Sequence, residues 1–231
     1  MNEKQLAGEK AAEFIENKTV VGLGTGSTVY FTIKKLSERV SEGLEIKAVS
    51  TSTSTTQLAN SLGIPLISMN EVERIDLTID GADEIDAHFN GIKGGGGALL
   101  FEKIVANASD QIIWVVDSSK MVQQLGGFPL PIEVVPFGYQ HVLAWLRKEG
   151  LNPILRIKGN KPFMTDSHHF IIDLHMKRIE KPNQLENFLN GMTGIVEHGL
   201  FLNMVDTVII GNEDSAEVLN LSEGNKLDCR Q

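Results

Sequence analysis

The chain has 231 residues, 42% of them hydrophobic, enough to bury one or two ordinary cores, and a formal net charge of −9. That acidity excludes a long-range pull toward nucleic acid or an anionic membrane, so any anionic ligand has to be held by local groups. No apolar run approaches the roughly 20 residues of a membrane helix, the charged opening MNEKQLAGEKAAEFIENK lacks the apolar centre of a signal peptide, and the single Cys229 has no internal disulfide partner; a cytoplasmic protein is expected.

In chain order, Leu6, Ala11, Phe14 and Ile15 recur at helical spacing, and KTVVGLG then gives a β-branched run ending in glycine. STVYFTIKKLSERVSE resumes a helical period, LEIKAVS reads as a second strand, and TTQLANSLG as a helix closed by Gly63. RIDLTID, a helix around ALLFEKIVANAS and the strand QIIWVVD continue the alternation. Strands alternating with helices predict an open, largely parallel α/β sheet with ligands at the C-terminal ends of the strands. The pattern changes after SSKMVQQLGGFPLP: IEVVPF, a helix from Tyr139 to Lys148, the runs NPILRIK and HFIIDLHM, a helix near Gln184 to Asn190 and GIVEHGLFLN predict a compact inserted α+β unit. VDTVIIGN then returns to the first sheet. The expected domains are 1–125 with 205–231, and an insert over 126–204.

Each conspicuous motif follows a strand. GLGTGST, Gly22 to Thr28, can present backbone N–H groups and a helix N-terminus to a phosphate, with Thr25, Ser27 and Thr28 adding hydroxyls. Ser27 stands where the last glycine of G-x-G-x-x-G belongs, and KAVSTST offers no acid for a ribose hydroxyl, so a dinucleotide site is disfavoured. The residues STSTSTT, 50 to 56, read as a polar strand-to-helix loop.

DGADEID supplies Asp80, Asp83, Glu84 and Asp86, and Asp80 closes an apolar-alternating strand where α/β enzymes place working groups. The spacing fits no calcium loop and His88 alone makes no ligand set, so no metal is expected. In KGGGGALLFEK, four consecutive glycines carry an entropic penalty that close backbone approach to a ligand or positive φ offsets. Lys93 precedes them, and Glu102 falls in the first turns of the following helix. The histidines show no ligand spacing and read as surface or packing residues.

GLGTGST, DGADEID, KGGGGALLFEK, VVDSSK and LPIEVVPF, in this order and spacing, closely resemble the type A ribose-5-phosphate isomerase family across nearly the whole chain. The resemblance implies a Rossmann-like domain with an inserted ferredoxin-like α+β domain, no cofactor and no metal, and a homodimer or homotetramer. It implies an enzyme that interconverts ribose 5-phosphate and ribulose 5-phosphate in the non-oxidative pentose phosphate pathway, with no nucleic-acid or membrane partner. Residue by residue, it assigns substrate binding to Thr25, Gly26, Ser27 and Thr28, to Asp80, Gly81, Ala82 and Asp83, and to Lys93, Gly94, Gly95 and Gly96. Glu102 matches the proton acceptor, Lys120 in DSSK a substrate lysine, and Lys4 a further candidate placed by its distance from the first loop. Lys93 and the glycine amides then suit an enediolate oxygen, and Asp80 and Asp83 suit the sugar hydroxyls. Three other readings are separable by experiment. A sugar-phosphate sensor needs no base at Glu102, an acyl transferase would form an acyl-glutamate, and a nicotinamide dehydrogenase would change cofactor absorbance.

Overall fold

The computed structural model describes residues 2–221; Cys229 lies outside the described residues. In chain order the first elements are α1 (Glu3–Ala12), β1 (Thr19–Leu23), α2 (Val29–Ser41), β2 (Ile46–Ser50), α3 (Thr53–Ser61), β3 (Ile75–Asp80), β4 (Glu84–Ile85), β5 (Gly91–Ile92), α4 (Leu99–Asn107) and β6 (Ser109–Asp117). Then follow β7 (Leu130–Val134), α5 (Tyr139–Lys148), β8 (Pro153–Leu155), β9 (Ile157–Lys158), β10 (Lys161–Pro162), β11 (Phe170–Leu174), α6 (Pro182–Asn190), β12 (Ile195–His198), β13 (Leu200–Phe201), β14 (Thr207–Gly211) and β15 (Ala216–Asn220). Among the described residues no helix is long and apolar enough to cross a membrane.

The chain forms two compact units. The first takes in 2–82, 101–120 and 203–221 of the described residues. Its sheet runs β15-β14-β6-β3-β1-β2, parallel from β2 through β14, with β15 antiparallel at the edge. This is the mostly parallel α/β sheet that the alternating pattern predicts. Its strands are apolar on both sides because both faces are covered. Val21, Leu23, Leu77, Ile79, Ile113, Val115 and Ile209 pack against α1, α2 and α3, while Val49 and Ile75 pack with Val105 of α4. The strand order reverses between β1 and β3, and ligands of open α/β sheets bind outside the strand ends at such a switch point.

Helix α1 is shorter than its apolar spacing suggests. It stops at Ala12, and Phe14 lies beyond it at 39% exposure. Its buried face consists of Ala7, Gly8, Ala11 and Ala12, small residues that let it lie close to its neighbours. Asn2 caps it, accepting from the Lys4 N–H at 3.1 Å.

The second unit takes in 83–100 and 121–202. From β7 its elements run β7-α5-β8-β9-β10-β11-α6-β12; without the β9-β10 hairpin this is a β-α-β-β-α-β succession whose antiparallel sheet is ordered β12-β7-β11-β8. Leu130, Ile132 and Val134 of β7, Ile172 and Leu174 of β11, Val142 and Leu146 of α5 and Leu189 of α6 form its core. Two small sheets, β13-β5-β4 and β10-β9, also belong to this unit. The segment 83–100 belongs here because β5 pairs with β13 through Leu200 opposite Ile92, a partnership more than a hundred residues distant in sequence.

Candidate active site

Within the first unit the loop after β1 is built around Asp80, the last residue of β3. Asp80 is 2% exposed, and its Oδ1 accepts from the N–H groups of Thr25 at 3.0 Å and Gly81 at 2.7 Å. These two bonds join the β1 and β3 loops at the switch point. The joint requires glycine at 24, since a Cβ there would overlap the Asp80 carboxylate and lie 2.6 Å from its Cα.

Hydroxyls hold the other side of this loop. Thr25 Oγ1 lies 2.8 Å from Thr51 Oγ1 and donates to Ser52 Oγ at 2.8 Å, and Thr55 Oγ1 donates to the Gly24 carbonyl at 2.8 Å. Thr51, Ser52 and Thr55 are buried, so the STSTSTT stretch is a packed support for the first loop rather than a solvated connection. The sequence signal for it was the density of hydroxyls between a strand end and a helix N-terminus. Ser27 and Thr28 then lead into α2, and Lys4 Nζ donates to Ser27 Oγ at 3.0 Å. A cavity of about 620 Å³ opens here, lined by Lys4, Thr25, Gly26, Ser27, Ser54 and Thr55 among others. One side combines a cation, hydroxyls and a helix N-terminus, suited to a phosphate, while Tyr30, Phe31, Ile33 and Leu58 make the other walls largely apolar.

At the end of β6, Asp117 lies 3.8 Å from Lys4 and accepts from the Ser119 hydroxyl and, at 3.1 Å, its N–H. Ser118 donates to Glu3 through both its N–H and its hydroxyl. The turn Ser118–Lys120 is thereby fixed to the start of α1, with Lys120 half-buried. Glu102 is in the first turn of α4 and is 5% exposed.

Within the second unit, Asp83 and the glycine run form one constellation. Asp83 Oδ2 accepts from the Gly95 N–H at 2.8 Å, and a Cβ at Gly95 would come within 2.7 Å of Asp83 Oδ1 and 3.0 Å of the Phe128 ring. Lys93 is 3% exposed; its N–H donates to the Gly199 carbonyl at 2.9 Å and its Nζ lies 5.4 Å from the centre of the Phe201 ring, a cation–π contact. Gly94 and Gly97 adopt positive φ of 102° and 80°, closing a turn in which Gly97 donates to the Gly94 carbonyl. Glu84 accepts from the N–H groups of Gly126 and Phe128, at 2.7 and 2.5 Å, and so fixes the loop that carries Phe128. Asp86 accepts from the N–H groups of His88 and Asn90, a local turn. Among the described residues no group of three or more His, Cys, Asp or Glu is placed to hold a metal.

The structure therefore gathers Lys4, Thr25, Gly26, Ser27, Asp80 and Gly81 in the first unit, with Thr28 at the head of α2, Ala82 after Gly81, and Glu102 and Lys120 on other elements. It gathers Asp83, Lys93, Gly94, Gly95 and Gly96 in the second. Within the first unit, a doubly wound sheet with a polar cavity at its switch point and the buried carboxylates Asp80 and Glu102 has the form of an α/β enzyme for a small anionic substrate.

Residues 47–215 match the family model described as ribose 5-phosphate isomerase A (phosphoriboisomerase A). The chain is 54% identical over 219 residues to the ribose-5-phosphate isomerase A of Levilactobacillus brevis, covering 94% of this chain and 96% of the relative. It is 52% identical over 223 residues to that of Enterococcus faecalis, covering 96% and 99%. Among solved structures, the enzyme from Methanocaldococcus jannaschii superposes with a TM-score of 0.90 at 35% identity, covering 95% of this chain and 98% of that one. A D-ribose-5-phosphate isomerase in complex with phospho-erythronic acid superposes with a TM-score of 0.91 at 37% identity, covering 96% and 100%. The chain belongs to the ribose-5-phosphate isomerase A family.

Proposed function

We propose that the chain interconverts D-ribose 5-phosphate and D-ribulose 5-phosphate through an enediolate, with Glu102 carrying the proton between C2 and C1. The observation that carries this reading is the burial of three charged side chains, Asp80, Lys93 and Glu102, each 5% exposed or less. Withdrawing ionised groups from water costs several kcal/mol apiece, and acid–base chemistry on a carbon-bound proton is a use suited to such groups. The relative bound to phospho-erythronic acid supports the same reading, because the carboxylate of that acid carries two coplanar oxygens as an enediolate does.

In this mechanism the phosphate lies in the cradle of Thr25, Gly26, Ser27 and Thr28, with Lys4 and Lys120 as cations. Asp80, Gly81, Ala82 and Asp83 take the sugar hydroxyls, and the two aspartates carry hydroxyl protons, including the one moved during ring opening. Glu102 removes the C2 proton of the open-chain aldose, leaving an enediolate, and returns a proton to C1. Lys93 and the amides of Gly94 and Gly96 meet the negative charge on the carbonyl oxygen as it grows, while the Gly95 N–H holds the Asp83 carboxylate. The bonds to Asp80 Oδ1 and Asp83 Oδ2 fix the rotamers of both carboxylates before substrate arrives.

The reading includes a cytoplasmic homodimer or homotetramer. Light scattering measures the oligomeric state. The activity itself is tested by incubating the protein with ribose 5-phosphate in deuterated water. Ribulose 5-phosphate bearing deuterium at the transferred position is the expected product, and unchanged substrate refutes the reading.

A further inference from the structure

Arg156, between β8 and β9 in the second unit, has no part in the mechanism above, yet all three nitrogens of its guanidinium donate hydrogen bonds. Its Nε donates to Asp173 Oδ2 at 2.9 Å and its Nη2 to Asp173 Oδ1, a bidentate pair in which both side chains are 16% exposed. The remaining nitrogen, Nη1, donates to two consecutive carbonyls of the glycine run, Gly94 at 2.9 Å and Gly95 at 3.0 Å. The guanidinium also lies 5.7 Å from the centre of the Phe163 ring. The Arg156 backbone is fixed as well: its N–H donates to Ile171 and its carbonyl accepts from Phe163.

A trans peptide is planar, so the carbonyl of one residue and the N–H of the next point in opposite directions. With the Gly94 carbonyl turned to Arg156, the Gly95 N–H is turned away from it, and there it meets Asp83 Oδ2. With the Gly95 carbonyl on the same nitrogen, the Gly96 N–H is likewise turned away from the guanidinium. Successive glycines lack the Cβ that restrains peptide rotation elsewhere. The Gly94 carbonyl also accepts from the Gly97 N–H; a cation that takes this carbonyl and the Gly95 carbonyl together holds the two peptides to one orientation, and Asp173 fixes the cation.

We propose that Arg156 is a positioning residue for the isomerisation. It orients the Gly94–Gly95 and Gly95–Gly96 peptides so that one amide anchors the Asp83 carboxylate and the next is aimed for an oxyanion. It acts through the backbone and touches no substrate. Lysine cannot replace it fully, since one ammonium cannot hold the Asp173 fork and two carbonyls in one plane.

This inference rests on the proposed isomerase activity, and the test separates the two. Arg156→Met, Arg156→Lys, Asp173→Asn and the charge-balanced double variant Arg156→Met/Asp173→Asn are assayed with ribose 5-phosphate beside the unaltered protein, and thermal melts establish that each is folded. The expected result is a kcat lowered by about 10- to 100-fold in Arg156→Met and in the double variant, below the loss for deleting an oxyanion donor outright, with KM changed by less than about threefold. Arg156→Lys recovers part of kcat, and Asp173→Asn loses a smaller part. In an Asp83→Asn background, Arg156→Met lowers the residual rate by a smaller factor than in the unaltered protein. Folded variants with unaltered kcat, or equal factors in both backgrounds, overturn the proposal. If Arg156→Met does not fold, the lysine and Asp173→Asn variants decide by the same criterion. An inactive unaltered protein overturns the isomerase reading instead.

Discussion

Gly24→Ala probes the joint between the β1 and β3 loops. The new methyl group would overlap the Asp80 carboxylate and stand 2.6 Å from the Asp80 Cα, so backbone as well as side chain has to shift. Overpacking of a tight site costs about 1–3 kcal/mol. Displacing the Asp80 carboxylate also weakens its bonds from Thr25 and Gly81, and hydrogen bonds to charged groups contribute about 1.5–3 kcal/mol each. The reduced freedom of the unfolded chain returns about 0.4–1 kcal/mol. A net loss of about 2–5 kcal/mol follows, and at about 2–4 °C per kcal/mol for a chain of this size the melting temperature falls by roughly 4–20 °C. Because Asp80 moves with the loop, kcat/KM drops by about tenfold or more, one power of ten for each 1.4 kcal/mol of lost transition-state stabilisation. Gly43→Ala is the control: its φ of 108° is strained for alanine, but nothing lies within 4 Å of the added Cβ. It lowers stability by about 1–2 kcal/mol and leaves kcat/KM unchanged. Thermal melts and initial rates on both variants give the comparison. A Gly24→Ala protein as stable and active as Gly43→Ala refutes the argument.

Lys93→Ala is expected to lower kcat more than it weakens substrate binding, because the proposed mechanism sets its ammonium against charge that exists mainly in the transition state; steady-state kinetics showing only a raised KM reassigns it to ground-state binding. Lys4→Ala has the opposite signature, a raised KM for ribose 5-phosphate with a smaller change in kcat, since its Nζ lies on Ser27 in the phosphate cradle; a kcat effect alone removes Lys4 from phosphate binding. Exhaustive chelation leaves the rate unchanged, and a loss restored by a divalent ion contradicts the mechanism.

The parallel sheet was legible because its strands read as continuous apolar runs, Val20 and Val21 serving opposite faces. Asp80 was legible because an acid at the end of such a strand interrupts an otherwise apolar pattern, and the glycine run because its entropy needs a local reason. Long-range partnership was not. Nothing in the residues after Ala82 signals that the chain enters the second unit there, since the pairing of β5 with β13 is made only in three dimensions. The edge strand β15 was missed because it is only half-buried and lacks a clean alternation. Thr51, Ser52 and Thr55 have the composition of a surface loop, and only their packing on Thr25 distinguishes them. NPILRIK read as a single strand, whereas β8 ends at Leu155 and β9 begins at Ile157. Arg156 sits at that break, so its role could not be inferred from a periodic pattern.

The central claim is that Glu102 moves the carbon-bound proton, and Glu102→Gln in deuterated water tests it most directly. The amide preserves volume but cannot accept a proton at neutral pH. The variant is expected to fold, to bind arabinose 5-phosphate with similar affinity, and to turn over ribose 5-phosphate at least about 10²-fold more slowly, the lower range for losing a positioned base. It is also expected to leave the C2 proton of ribose 5-phosphate unexchanged with solvent in NMR spectra, which separates a lost base from slow product release. Near-normal exchange and turnover would contradict the account and move the search for the base to Asp80 and Asp83.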